Sequence, residues 1–393
     1  MQKLLTILTL TAGCLFANYD DDCCNPCDPC DPCDPCEVEC CEPCDFMPPC
    51  PPDTCAYNAP VIIDIKCSWD MFLSASFLYM QAKTENLEYI QTSTTTPNGV
   101  NGNDGTFRYG SLSFDYEPAF KVGLGFNLGC DDWMFKFQYM RYHADVGSGS
   151  LNTTAPGDGS TTLRSRFFWA IDNTNDLPAD IVFNNNESGT LGASSKWRLE
   201  LDLIDFDVSR KYYVGRCLTF EPNFGIRAGW IDQKFNVTYT TVNNTTDTSI
   251  VWTSNNTTES WAVGLKTGLD TNWAFCGGFY MFGNSEMSIL YTDYDNIFSN
   301  QQRTETTTST GAVDNIAFPS RELCYLRPQF NLGIGLGWSD YFCCNDWFFD
   351  FKIGYEMHVF WSQNTLHAVN YSFQDPTGDL YLHGLIVSAR LDF

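Results

Sequence analysis

The chain has 393 residues, 22 Lys plus Arg against 48 Asp plus Glu, and a formal net charge of −26. That balance excludes a nucleic-acid surface, which needs a basic stripe to neutralise phosphates. With 15% aromatic residues, 29 Gly and four His, the composition reads as all-β with little acid–base machinery, and 19 Cys argue against a reduced cytosol.

Residues 1–17 read as a signal peptide: Lys3 gives the positive start, Leu4 to Leu10 the apolar stretch, and Leu15-Phe16-Ala17 a cleavage site. A lipoprotein alternative at Cys14 has Thr11 where a Leu is expected. No later apolar run reaches the ~18 residues of a membrane helix, which leaves a membrane β-barrel open.

Residues 18–66 read as an arm rich in Cys, Asp and Pro. Asn25-Pro26-Cys27 is followed by three Asp-Pro-Cys triplets, and the stretch 18–67 holds twelve acids and one Lys. With little to bury and Pro at every third place, the arm should be extended and disordered. A polyproline II helix would align Cys27, Cys30, Cys33 and Cys36 on one edge. Overlapping Cys-x-x-Cys without His makes a poor zinc site, so the favoured reading is a disulfide cross-linker, with no metal or cofactor expected.

From Trp69 the pattern has period two. Trp69, Met71, Leu73, Ala75, Phe77 and Tyr79 alternate with Asp70, Ser74 and Ser76, Phe120 to Leu128 with Lys121, Gly123, Gly125 and Asn127, and Trp133, Phe135, Phe137 and Tyr139 with Lys136 and Gln138. Such alternation predicts strands. Further pairs are expected near 196–211 and 217–236, 259–272 and 279–294, 323–338 and 347–361, with a last strand from Leu380 to Phe393. Short turns alternate with long Thr/Asn-rich connections at 83–111, 143–195, 237–258, 295–322 and 362–379. Residues 67–393 are therefore expected to form a transmembrane antiparallel β-barrel of about ten strands, or more if the long connections add their own. Trp69, Trp133, Trp273, Trp338 and Trp347 would form one aromatic girdle, and Tyr79, Trp197, Trp261 and Trp361 the other. A closed barrel has no edge, so Pro118, Pro222 and Pro328 are expected at bulges.

The blocks Trp69 to Tyr79, Glu117 to Gly125 and Gly225 to Gln233 resemble the pore-forming major outer membrane proteins of legionellae and chlamydia-related bacteria. The resemblance spans roughly residues 67–393 and implies a porin. The Cys-rich arm departs from that pattern and is closer to the disulfide-cross-linked envelopes of chlamydiae.

If apolar residues face lipid, Lys121, Lys136, Arg198, Arg227, Lys266, Arg327, Lys352 and Arg390 face inward, with Glu200, Asp202, Glu221, Asp350, Glu356 and Asp392. Paired, these groups would leave a polar channel or merely fill a small lumen. The expected function is passive diffusion of small hydrophilic solutes across a bacterial outer membrane. Two alternatives stand beside it: a non-conducting structural or adhesive surface barrel, and a barrel enzyme built on His358 and Glu356.

With short turns periplasmic and long connections extracellular, Cys23, Cys24, Cys27, Cys30, Cys33, Cys36, Cys40, Cys41, Cys44, Cys50, Cys55, Cys67, Cys130, Cys217, Cys276, Cys343 and Cys344 gather on the periplasmic side. Only Cys324 falls at the opposite rim. The expected partners are outer-membrane lipid, further copies of the chain, and Cys-rich envelope proteins joined by disulfides.

Overall fold

The computed structural model of the chain describes residues 61, 63, 65, 70–96, 104–128, 133–147, 151–155, 161–165, 181–182, 189–215, 217–243, 248–275, 277–306, 311–343, 346–366 and 377–393, all within the unit Tyr57–Phe393. The expected signal peptide, the Cys-rich arm up to residue 60, Trp69, Cys67, Cys130, Cys276 and Cys344 lie outside these residues.

Sixteen strands are described: β1 (Met71–Thr84), β2 (Ile90–Thr96), β3 (Asp104–Gly110), β4 (Tyr116–Asn127), β5 (Trp133–Gly147), β6 (Leu151–Ala155), β7 (Thr161–Ser165), β8 (Ile181–Val182), β9 (Gly189–Arg210), β10 (Tyr212–Tyr213), β11 (Leu218–Asn243), β12 (Thr248–Ala274), β13 (Phe279–Thr306), β14 (Gly311–Phe342), β15 (Trp347–Asn364) and β16 (Gly378–Asp392). Ten of them close into an antiparallel barrel in the order β1-β4-β5-β9-β11-β12-β13-β14-β15-β16, with β16 pairing back onto β1 from Phe72↔Asp392 to Thr84↔Leu380. Strands β2, β3, β7 and β8 form a separate four-stranded sheet. Among the described residues no helix is long and apolar enough to cross a membrane.

Two expected long connections are mostly strand. Residues 237–258 and 295–322 extend the walls, so that β11 to β14 run 26, 27, 28 and 32 residues. A hydrocarbon layer needs only ~9–11 residues of tilted strand. The extensions hold because β-branched Thr and aromatics suit a pleated wall and pair across it, as in Thr238↔Thr253 and Tyr239↔Trp252.

The prolines are not at bulges. Pro118, Pro222 and Pro328 each pair with one neighbour, opposite Tyr79, Leu269 and Ile289. On the other side of each strand the ladder starts one residue later, at Ala119↔Tyr142, Asn223↔Ser209 and Gln329↔Phe360. Pro118 and Pro328 therefore sit where a ladder ends, and Pro222 in a two-residue interruption between Phe220↔Tyr212 and Asn223↔Ser209, so that no N–H is required of any of them. The register shifts lie elsewhere, at Glu259/Ser260, from Tyr294 to Ser299, and at Phe360/Asn364.

Hydrophobic alternation inverts part-way up the wall. On β11, Phe224, Ile226 and Trp230 are exposed outward while Asn223 and Arg227 are buried inward. Above Trp230, Lys234 and Asn236 face out, while Ile231, Phe235, Val237 and Tyr239 are buried inside. The β11–β9 register runs from Asn223 to Asn243 without a shift, so the backbone is continuous and the chemistry changes faces. Strands β5 and β9 invert at the same level, β9 from exposed Phe206 to outward Asp202 and Arg198. Below the inversion the exposed Leu73, Phe77, Phe120, Leu124, Leu265, Ile289, Ile334 and Ile353 form an outer apolar belt, as a lipid-facing wall does. Above it the wall is polar outside and encloses a core of Leu, Tyr, Trp and Val side chains.

Aromatics border the belt. At the short-turn end Phe126 stacks on Phe135 at 5.3 Å and Trp347 lies 5.9 Å from Phe393. At the other rim Tyr79 stacks on Tyr116 at 5.5 Å and Trp261 packs on Tyr291 at 5.9 Å. Trp197, expected in that girdle, instead points inward, fully buried, and donates to Gln233 Oε1 at 3.3 Å. It lies above the inversion, where the apolar face is the inner one.

Candidate functional site: the charged interior of the barrel

Inside the apolar belt the inner face is polar and charged. Arg227 on β11 makes a two-pronged contact with Asp205 on β9, Nε to Oδ1 at 2.7 Å and Nη2 to Oδ2 at 2.6 Å, the fork geometry that makes Arg–carboxylate pairs strong. Its Nη2 also reaches Glu286 Oε2 at 3.0 Å and its Nη1 reaches Gln329 Oε1 at 2.9 Å. Lys266 on β12 donates to Asp207 Oδ2 at 2.8 Å and Asp205 Oδ2 at 3.2 Å. Asn331 Nδ2 donates to Glu286 Oε2 at 3.0 Å, and its Oδ1 meets His358 Nδ1 at 2.7 Å. His358 Nε2 lies 2.8 Å from Glu356 Oε1. Glu356 in turn pairs with Lys121 of β4.

This chain of contacts passes through β9, β11, β12, β13, β14 and β15 before crossing to β4. Lys121 is opposite Ser76 on β1, which is opposite Ser388 on β16, itself opposite Lys352 on β15. Its partner Glu356 lies four residues further along β15 than Lys352. In a barrel whose strands tilt ~35–45° that stagger brings the two to one height, so their pair is transverse to the barrel axis. The gap in the network falls at β5, β1 and β16, where Gln138, Ser74, Ser76 and Ser388 line a cavity of ≈ 200 Å³.

Nearer the short turns a second group fills the same cavity. Tyr280 donates to Asp350, Lys352 lies 3.4 Å from Asp350, and Ser209 donates to Glu221 at 2.8 Å. Arg390 binds Asp392 through two nitrogens at 2.6 and 2.8 Å and stacks over the Phe72 ring at 3.7 Å.

The structure thus brings Lys121, Lys136, Glu221, Arg227, Asp350, Lys352, Glu356 and Arg390 to the wall of one cavity, with Lys266 in the network behind it. Arg198, Glu200 and Asp202 are corrected to the outer face. They lie above the inversion, where the outer surface is the wet one: Arg198 pairs with Asp145 at 3.0 Å and Asp202 accepts from Tyr139 at 2.5 Å. Arg327 is half-buried away from the network, its guanidinium 4.3 Å from the Tyr325 ring and 5.9 Å from that of Tyr294. Sequence reasoning missed Asp205, Asp207, Asp270 and Glu286, which give this interior more acids than bases. The signal was present on β9, where Ile204, Phe206 and Val208 alternate with Asp205 and Asp207. It was lost because a single phase was carried up the whole strand. Of the cysteines, Cys217, Cys324 and Cys343 are described, and each is exposed. Among the described residues no group of three His, Cys, Asp or Glu is placed to hold a metal ion.

A family model described as the Legionella pneumophila major outer membrane protein precursor matches residues 64–393. A search of curated proteins gives no match. Similar solved structures include the outer membrane protease OmpT of Escherichia coli, 9% identical over 83% of this chain and 97% of that one, with a TM-score of 0.34. The toluene transporter TodX of Pseudomonas putida is 8% identical, covering 83% and 91%, with a TM-score of 0.23. A major outer membrane protein of Thermus thermophilus is 11% identical, covering 81% and 99%, with a TM-score of 0.22.

Proposed function

Because the chain belongs to the family of the Legionella pneumophila major outer membrane protein, we propose that it is a pore for small hydrophilic solutes in a bacterial outer membrane, its short turns toward the periplasm. One observation carries this reading. At the level of the apolar belt the barrel holds buried Asp205, Asp207, Arg227, Lys266, Glu356 and His358, whereas higher up the same wall encloses Leu, Phe and Trp. Burying charges is expensive, and well-packed apolar side chains of similar volume are often as stable or more so. A barrel that can fill itself with hydrocarbon, yet keeps a polar interior where it meets lipid, is built to hold water and solutes there. The ion pairs then form a closed diaphragm that must part for conduction.

His358 and Glu356 meet as a catalytic pair would. Their remaining contacts are Asn331 and Lys121, inside the barrel, which suits a wall element better than a general base. A second reading, a structural barrel without conductance, is favoured by the packed core above the diaphragm. Reconstitution of folded protein in a planar bilayer separates the two. Stepwise conductance is expected, and its absence would leave the structural reading. The cysteines expected at the periplasmic side belong to either reading as envelope cross-links.

A further inference from the structure

Above the diaphragm the barrel interior is not uniform. Following one register row around the wall, Trp197 on β9 faces Phe235 on β11, Phe235 faces Asn256 on β12, and Asn256 faces Ser299 on β13. The next row runs Leu199, Gln233, Thr258. The inner face changes from aromatic and aliphatic to hydrogen-bonding between β9 and β12, with Phe235 and Gln233 of β11 on the boundary. All of these side chains are buried.

We propose that this polar face of β12 and β13 is the solute path above the diaphragm, and that it takes small uncharged solutes bearing hydroxyl or amide groups. The proposal rests on the pore reading and names its route and its substrate class. The file begins at the diaphragm, where Gln329 Oε1 accepts from both Arg227 and Ser288, the latter at 2.8 Å. It continues through Thr292, Ser260 and Thr258 to Asn256 and Ser299, then to Ser254 and Gln301. From Ser288 to Gln301 it covers roughly 40 Å measured along the strand. Its members are joined in places: Gln363 Nε2 donates to Ser260 Oγ at 3.4 Å, Ser299 Oγ to Asn256 Oδ1 at 2.7 Å, and Asn256 Nδ2 to Ser254 Oγ at 3.0 Å.

Two observations point to an occupant. Thr258 Oγ1 and Thr292 Oγ1 are buried without a hydrogen-bond partner among the protein atoms, on residues 1% and 0% exposed. A buried hydroxyl left unmade is costly, and proteins keep such groups paired unless something else meets them. Val would fill the same space without that cost. The second observation is the absence of charge. Between Lys266 and Trp252 on the inner face of β12, and between Glu286 and Gln301 on that of β13, no side chain is a carboxylate or a cation. An ion entering would lose hydration with no countercharge on these two strands to replace it, the nearest cation being Arg327 on β14, over the Tyr294 and Tyr325 rings. A polyol finds donors and acceptors at Ser288, Thr292, Ser260, Thr258, Asn256 and Ser299, between the apolar Leu290, Ile297 and Ala262. The residues on β12 are also short, with Ser260, Ala262 and Gly264 in succession, which leaves little side chain to displace along that strand.

The test uses the full barrel in liposomes, with swelling in isotonic arabinose as the neutral probe and gluconate as a charged one of similar size. The Thr258→Val/Thr292→Val variant is expected to lose about tenfold of the arabinose rate while its melting temperature is unchanged or higher. The Thr258→Ser/Thr292→Ser variant, which keeps both hydroxyls, is expected to retain the rate. Equal arabinose rates in wild type and the Val variant would overturn the route, as would equal losses in the Val and Ser variants. Wild-type swelling as fast in gluconate as in arabinose would overturn the substrate class. No swelling by wild type in either solute would remove the pore reading itself, and this inference with it.

Discussion

Lys121 on β4 reaches across the inner faces of β1 and β16 to pair with Glu356 on β15, whose other partner is His358. Both ends are withdrawn from solvent, with side-chain exposures of 11% and 4%. Removing one partner of such a pair strands the other. Lys121→Met is therefore expected to destabilise the barrel by ~3–5 kcal/mol, and adding Glu356→Gln to recover much of it. Denaturant titration in detergent measures both. On the pore reading Lys121→Met also raises the open fraction in bilayers, and a midpoint unaffected by the single change would refute the transverse pair.

The inversion of the wall predicts unequal tolerance of charge on one strand. Leu265 and Thr257 both point outward from β12, but Leu265, 74% exposed, lies in the apolar belt and Thr257 above it. Leu265→Arg is expected to cost ~2–4 kcal/mol in lipid. Thr257→Arg should stay within ~0.5 kcal/mol, as an ordinary surface change does. Folding titrations into vesicles compare them, and equal costs would mean that the belt does not end at Trp261.

Trp197 anchors the upper core. Its replacement by Ala removes a fully buried indole and leaves Gln233 Oε1 without that donor. The expected loss is ~3–5 kcal/mol, seen as protease sensitivity of the upper wall while the heat-modifiable gel shift of the barrel persists. A Trp197→Ala barrel as resistant as wild type would place this indole outside the core.

On the wet outer face Asp145 meets Lys196 at 3.1 Å and Arg198 at 3.0 Å. Burial alone would raise its pKa. Hydrogen bonds and charge from Arg198 and Lys196 outweigh that and hold it below the ordinary carboxylate value. A depressed folded-state pKa contributes stability that is complete above the unfolded value of ~3.9 and disappears as pH falls through the folded one. The pair is exposed, so the effect is small. Asp145→Asn should flatten the acid limb of the stability profile below pH ~4 and leave neutral pH nearly unchanged.

Cys217 and Cys343 are exposed beside the short turns, and Cys324, expected at the opposite rim, is exposed part-way along β14, opposite Asp293. If the short-turn side carries the cross-links, native envelopes on non-reducing gels show high-mass species that collapse with reductant, and Cys324→Ser leaves that ladder intact. A monomer band under both conditions would end the cross-linking proposal.

The strand alternation, the short turns and the final strand were legible because each is local: a pleated strand between two different solvents must alternate, and a tight turn must interrupt it. For the same reason the inner positions of Lys121, Arg227, Lys266 and Glu356 could be read directly, since each lies within the lipid belt where apolar neighbours fix the phase. Arg198, Glu200 and Asp202 could not. Their parity matches that of Phe206, so reading them correctly requires knowing where lipid gives way to water, and no local pattern marks that height. Trp197 was misplaced by the same blindness.

The prolines show a second limit. Each residue forbids a hydrogen bond, which is plain from its chemistry. Whether a neighbour is present to ask for that bond depends on where β5, β9 and β15 begin pairing, and only the closed barrel decides it. Periodicity and composition belong to the chain alone, and they sufficed for an antiparallel barrel of ten wall strands. The closure of the ring, the height of the inversion, and the network from Asp205 to Lys121 came from the folded wall. The closure pairs Phe72 with Asp392 and the network joins residues up to 235 positions apart, and which distant charges meet follows from strand tilt and stagger, which no stretch of sequence contains.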